Sequence, residues 1–224
     1  MKTTISFPNH FPRTNNKVMN RIALGVVILG AGASSRMGRP KLLLPWGDTS
    51  IVGHLIRQWH LLGTEQIAIV CRAGDKPMTD ELDRLAFPSA NRIENHEPER
   101  GMFSSIVCAA NWPGWKNELT SWAIVLGDQP HLREDTLHEL LAFNRKHADK
   151  ICQPSFQGHA RHPVLLPRAV FETLKQTHAG TLKNFLKLVS GDIVLCPVND
   201  SGLALDLDTP EDYHRATSFH PGSA

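Results

Sequence analysis

A regular alternation of short aliphatic runs with amphipathic stretches constrains this chain more than any other feature. Strand-length runs occur at "IALGVVIL" (22–29), "QIAIVC" (66–71), "NRIEN" (91–95), "WAIVLGD" (122–128) and "DIVLCPV" (192–198). Helical periodicity marks 50–62, 79–86, 102–111, 133–147 and 181–189. In the first of these, Ile51, Leu55, Ile56, Trp59 and Leu62 fall three or four residues apart, the spacing of a stripe that faces a core. Apolar strands alternating with such helices make βαβ units. The expected fold class is therefore α/β: a single-domain, three-layer α/β/α sandwich on a mostly parallel sheet. From about 150 to 168 the pattern changes, because "KICQPSFQGHARHPVLLP" is too rich in Pro and Gly for a helix and reads as extended segments plus a loop. No linker, repeat or low-complexity segment divides the 224 residues. One folded domain is expected over 21–218, behind a flexible leader over 1–20.

The net charge of +2 gives no electrostatic reason to expect a nucleic acid or anionic membrane partner. No apolar run approaches the ~18 residues that span a bilayer. The opening "MKTTISFPNHFPRTNNKVMN" lacks the apolar core of a signal peptide, so the expected location is cytoplasmic. Cys71, Cys108, Cys152 and Cys196 are scattered, form no C-x-x-C pair and read as reduced core thiols.

The segment "ILGAGASSRMGRPK" (28–41) comes after the first strand and before the first long helix, where a phosphate loop belongs. It matches neither common fingerprint. A dinucleotide loop needs glycine where Ser35 stands, and a P-loop needs Gly-Lys-Ser/Thr where Lys41 trails Gly38 by three. Its glycines still let backbone N–H groups turn towards an anion. Arg36 would add a bidentate fork and Lys41 a point charge. The same residues would also suit a glycine-rich turn with solvated cations.

This loop resembles the signature of nucleotidyltransferases with a glycosyltransferase-A-like, Rossmann-like fold, and in particular that of the molybdenum cofactor cytidylyltransferases in the MobA-like group. The resemblance implies that Gly32, Ser34, Arg36, Gly38 and Lys41 line a nucleotide and its phosphates, with the strand end Leu29-Gly30-Ala31 beside them. Ala31 matches the cytidylyl branch, whereas guanylyl relatives carry glycine there; Gly30 differs from both.

Further motifs occur in family order. "VLGDQP" (125–130) sets Asp128 at the end of a strand, as a turn or cap residue or, by resemblance, a metal-binding aspartate. "LALDLDTPEDY" (203–213) offers a second carboxylate. Within it Thr209 reads as an N-cap, Pro210 as the first helical residue, and Glu211 and Asp212 as first-turn acids. Alternation places Leu203, Leu205 and Leu207 on one side and Ala204, Asp206 and Asp208 on the other, and alone does not choose between the two aspartates. The family pattern selects Asp206 as the second Mg²⁺ ligand. In "NHEPERGMFSSIVCAA" (95–110), Ser104 and Ser105 read as helix caps or, by resemblance, as contacts to the nucleotide base. "GHARHPVLLP" (158–167) resembles an acceptor-facing segment through His162-Pro163-Val164, with Arg161 in place of the usual glycine.

The resemblance therefore implies a Mg²⁺-dependent enzyme that transfers CMP from CTP, or NMP from another NTP, to the phosphate of molybdopterin bearing molybdenum. Arg36, Lys41 and Asp128 would be its catalytic groups, and a recipient molybdoenzyme a possible partner. Two alternatives remain at this level: a nucleotidyltransferase acting on a sugar- or polyol-phosphate, and a non-catalytic carrier of the cofactor. The tryptophan-rich "NWPGWKNELTSW" (111–122) reads either as a partner surface or as a packed turn.

Overall fold

A computed structural model of the chain describes residues 23–32, 37–189 and 192–218. The leader expected over 1–20 lies outside them, as do Ser34 and Arg36.

Ten strands occur among the described residues: β1 (Leu24–Leu29), β2 (Pro45–Trp46), β3 (Thr49–Ser50), β4 (Gln66–Arg72), β5 (Arg92–Asn95), β6 (Ser121–Leu126), β7 (Ile151–Phe156), β8 (His159–Ala160), β9 (Val164–Pro167) and β10 (Ile193–Pro197). The main sheet runs β10-β7-β9-β6-β1-β4-β5, with β8 paired to β7, and β2 and β3 form a separate ribbon. Pairings on both sides of β1 are parallel, as are β4 with β5 and β10 with β7. In the main sheet only β9 and the short β8 run antiparallel to their neighbours, and both come from the segment that breaks the sequence alternation.

Seven α-helices cover the sheet: α1 (Ile51–Leu61), α2 (Lys76–Arg84), α3 (Met102–Asn111), α4 (Glu134–Lys146), α5 (Arg168–Thr173), α6 (Leu182–Leu188) and α7 (Pro210–Thr217). Strand β1 divides the core. Its Leu24, Val26 and Ile28 pack on one face with residues of α1, α2, α4 and α7, while Val27 and Leu29 pack on the other with α3, α5 and α6. A strand enclosed on both faces needs an unbroken apolar run, which the sequence supplies. No helix among the described residues is long and apolar enough to cross a membrane.

Two boundaries differ from the sequence reading. Helix α2 starts at Lys76, three residues before the expected 79, because the Asp75 carboxylate accepts the Met78 N–H at 3.2 Å and Pro77 sits in the first turn. Residues 203–208 join no sheet ladder: Ser201–Ala204 is a 3₁₀ turn, and the chain then runs on extended, tied to the end of β6 by the Leu207 N–H on the Asp128 carbonyl. The inward alternation still holds, with Leu203, Leu205 and Leu207 buried and Asp206 exposed. The tryptophan-rich segment packs against the domain. Trp122 stacks on Phe171 at 4.3 Å between centroids, and Trp115 meets both rings edge-on while donating its Nε1–H to the Ala109 carbonyl.

Candidate active site

Strands β1 and β6 end side by side, and the segments leaving those two ends build the site. After Leu126 the chain turns through Gly127, where an added Cβ would lie 2.7 Å from the Leu29 carbonyl oxygen and from a Leu42 methyl. Only glycine lets the two strand ends come this close. That approach sets Asp128 beside Lys41, which lies in a 3₁₀ turn (Lys41–Leu43). The Lys41 ammonium donates to Asp128 Oδ2 at 2.8 Å, to the Leu207 carbonyl at 3.1 Å and to Asp208 Oδ1 at 3.4 Å. Both ends of the first contact are mostly shielded from water, with side chains 16% and 21% exposed, so the pairing is stronger than a surface ion pair.

The second oxygen of Asp128, Oδ1, is buried with no hydrogen-bond partner among the described residues. A carboxylate oxygen in that condition carries a desolvation cost that a cation would offset. Asp206 lies in the same neighbourhood, since both carboxylates act on His131 and His162, and its Oδ1 accepts the Gln129 amide at 2.8 Å. The described residues contain no group of three or more His, Cys, Asp or Glu arranged as a metal site. Mg²⁺ does not need one, since one or two carboxylates with substrate phosphates commonly hold it. The donor set therefore fits Mg²⁺ on Asp128 and Asp206.

A cavity of about 300 Å³ opens here, lined by Leu29, Ala31, Gly32, Lys41, Ser105 and Asp128, among others. Six of the residues expected at a nucleotide site thus share one space. Gly30 continues the sheet, its N–H donating to the Val70 carbonyl at 2.8 Å, and with Gly32 and Lys41 it lines an adjoining cleft. Gly38 is exposed, with φ +69°. The two serines part company. Ser105 is buried and faces the cavity, whereas Ser104 lines a different cleft that also includes Arg100 and His178. The Asn95 amide donates to both hydroxyls, at 2.8 Å to Ser104 and 3.0 Å to Ser105. Neither serine caps α3, whose N-cap is Gly101 with no side-chain bond.

His162 lies just before β9, next to the end of β6. Burial pushes its pKa below the usual histidine value, against the opposing pull of the Ile124 backbone and the carboxylates of Asp128 and Asp206. His131 is likewise lowered by burial, opposed by the Gly202 carbonyl and by Asp200, Asp206 and Asp128. Both imidazoles are thus neutral at pH 7 and near the two candidate metal ligands. Arg161 is tied back to β7 through its backbone N–H, which donates to the Pro154 carbonyl at 2.8 Å, and its Nε is buried without a hydrogen-bond partner among the described residues.

Sequence reasoning passed over four participants: Gln129, His131, Asp200 and the lysine contact of Asp208. Asp200 is buried and accepts from the Thr136 hydroxyl at 2.7 Å and the Gly202 N–H at 2.9 Å, anchoring the turn that leads to Asp206. No sequence pattern flags it, because its partners lie on α4 and in its own turn. Asp208 stands in plain view in the sequence, yet only the fold brings it to Lys41.

A strand-end carboxylate facing a cation, beside a glycine-lined cavity, is an arrangement able to hold a phosphate ester together with a divalent cation. Comparison with known proteins agrees. Residues 26–193 match the MobA-like NTP transferase domain, and the chain belongs to that family. It is 24% identical over 194 residues to the molybdenum cofactor cytidylyltransferase of Escherichia coli (strain K12), covering 85% of this chain and 94% of that one. It also aligns over 127 residues, at 30% identity, with a quarter (25%) of the bifunctional protein GlmU of Clavibacter sepedonicus, covering 55% of this chain. Among solved structures, Rv0371c of Mycobacterium tuberculosis H37Rv superposes with a TM-score of 0.70 at 26% identity, covering 89% of this chain and 100% of that one. A manganese complex of the same protein gives 0.64 at 23% identity, covering 88% and 98%.

Proposed function

We propose that this nucleotidyltransferase moves CMP from CTP to the phosphate of molybdopterin bearing molybdenum, and that it requires Mg²⁺. The observation that carries the chemistry is Asp128: one carboxylate oxygen is on Lys41 and the other is buried and unpaired, at the mouth of a cavity lined by the glycine loop. The molybdopterin acceptor draws its support from the Escherichia coli relative.

The acceptor's phosphate oxygen forms a bond to the α-phosphorus of CTP while the bond from that phosphorus to the bridging oxygen breaks. Pyrophosphate leaves with the electron pair. No protein nucleophile takes part, and positioning with charge stabilisation supplies most of the rate. Lys41 brings a cation to the phosphates, and the loop glycines Gly30 and Gly32 let backbone approach them closely. Mg²⁺ held by Asp128 and Asp206 would neutralise triphosphate charge. Gln129 orients Asp206, and Asn95 holds Ser105 in the cavity wall. His162 and Arg161, on the β9 side of β6, face the acceptor.

The test is pyrophosphate release with Mg²⁺, molybdenum-loaded molybdopterin, and CTP, GTP or ATP supplied separately. Release with CTP alone is expected. Release with GTP alone would move the protein to the guanylyl branch, and no release with any of the three would discard molybdopterin. A sugar-phosphate acceptor is the second reading, favoured by the alignment with GlmU, and an acceptor panel separates it.

A further inference from the structure

Arg72 closes strand β4, two residues beyond Val70, the partner of the last residue of β1, and so extends past that strand end where the glycine loop begins. Most described arginines are engaged: Arg57, Arg84, Arg92, Arg100, Arg133 and Arg215 each meet a carboxylate, and Arg168 donates to the carbonyls of Asn117 and Leu119. Arg72 is exposed, and its guanidinium has no hydrogen bond or ion pair among the described residues. It lines a cleft of about 230 Å³ together with Gly30, Gly32, Lys41 and Asp75.

Three features give this cleft a direction. Gly32 and Lys41 line both it and the cavity beside Asp128, so the two spaces share a wall. The cleft lies on the β4 side of β1, whereas His162 and Asp206 lie towards β6 and β9, the opposite side. Its charge is carried by Lys41 and Arg72, a point charge and a planar fork suited to two phosphate oxygens. Asp75 adds one negative charge, but its Oδ1 is turned to the Met78 N–H. Ligands of open α/β sheets collect beyond the carboxyl ends of the strands, where Arg72 stands.

Resting on the nucleotidyltransferase reading, we infer that Arg72 holds the terminal phosphates of the nucleoside triphosphate and then the pyrophosphate product. The cleft takes the polyphosphate tail, while the cavity beside Asp128 takes the nucleoside and α-phosphate. Arg72 is a substrate-positioning group that also aligns the leaving group with the attacking oxygen.

Calorimetric titration with CTP, CMP and inorganic pyrophosphate, each in Mg²⁺ buffer, tests this on the native protein, Arg72→Ala and Arg72→Lys. Arg72→Ala should bind CTP and pyrophosphate at least tenfold more weakly and CMP unchanged, with Arg72→Lys in between. Circular dichroism should show all three folded alike, since the side chain is exposed. Equal binding of CTP and pyrophosphate by native protein and Arg72→Ala overturns the inference and leaves the transferase reading standing. If in that case the KM for the acceptor rises instead, the guanidinium serves the acceptor's phosphate, and the assignment is again overturned. Native protein that binds neither CTP nor pyrophosphate removes the transferase reading as well.

Discussion

Leu207 donates its backbone N–H to the carbonyl oxygen of Asp128 at 3.1 Å, while its own carbonyl accepts from the Lys41 ammonium at 3.1 Å. This apolar, fully buried residue thus links the lysine of the loop, the aspartate after β6 and the aspartates at 206 and 208. Four charged groups hang on a peptide that no chemical motif would single out.

Lys41 and Asp128 should act as a unit. Asp128→Asn and Lys41→Met are each expected to lower turnover by about 10²–10³-fold, the cost of losing one well-placed electrostatic group. The double variant should be little worse than either alone, because groups that work together are non-additive. Pyrophosphate release from the four proteins checks this, and multiplying losses would show the two residues act independently.

Asp200→Ala should cost about 3 kcal/mol of folding stability, since removing a buried, multiply bonded carboxylate leaves a hydroxyl and an N–H unpaired. Turnover should fall too, through loosening of the turn ahead of Asp206. A urea midpoint equal to that of the native protein would deny Asp200 its anchoring role.

Acid should destabilise the fold early. The folded-state pKa values of His131 and His162 lie below the unfolded histidine value near 6.5. Below that pH the unfolded chain takes up protons that the native state refuses, so stability falls as pH drops, by up to about 1.4 kcal/mol per pH unit for each histidine. Above about pH 7.5 both states are neutral and the contribution vanishes. The melting temperature should drop between pH 7.5 and 5.5, and His131→Asn should flatten the decline; equal melting at the two pH values would contradict the assignment.

The thiols should be sluggish. Burial pushes Cys71 up to about 12 and Cys196 to about 11, and raises Cys108 and Cys152 as well. At pH 8 Ellman's reagent should label the native protein slowly, Cys108 first because it is only half-buried, and four thiols should appear in denaturant. Rapid labelling of more than one native thiol would mean that the core opens readily.

The sheet was legible because β1, β4 and β6 are buried on both faces and so cannot hide their apolar runs. The cap of α7 was legible for a different reason: Thr209 and Asp212 bond reciprocally within three residues, so the signal is wholly local. Asp128 and Asp206 were legible as strand-end or loop carboxylates, and Lys41 as the end of the glycine loop. What escaped was contact between distant segments. Adjacent Ser104 and Ser105 look equivalent in a string, but a helix turns successive residues by about 100°, which sends them into different spaces. Gln129 resembles any turn glutamine until Asp206 is brought against its amide.

The stem of the glycine loop leaves a strand walled in by core on both sides, and an added Cβ at Gly127 would strike its last carbonyl. Drift in substrate preference has little room at that stem, where a side chain at Gly127 collides with backbone and one at Gly30 is cramped at 3.1 Å from the Val70 carbonyl. Change is far easier at the rim, where Met102 stands nearly half exposed (46%) at the cavity's edge and Pro98 and Gly101 carry the chain over it. A lineage adapting this protein to a different base would therefore be expected to leave the stem untouched and rewrite the rim.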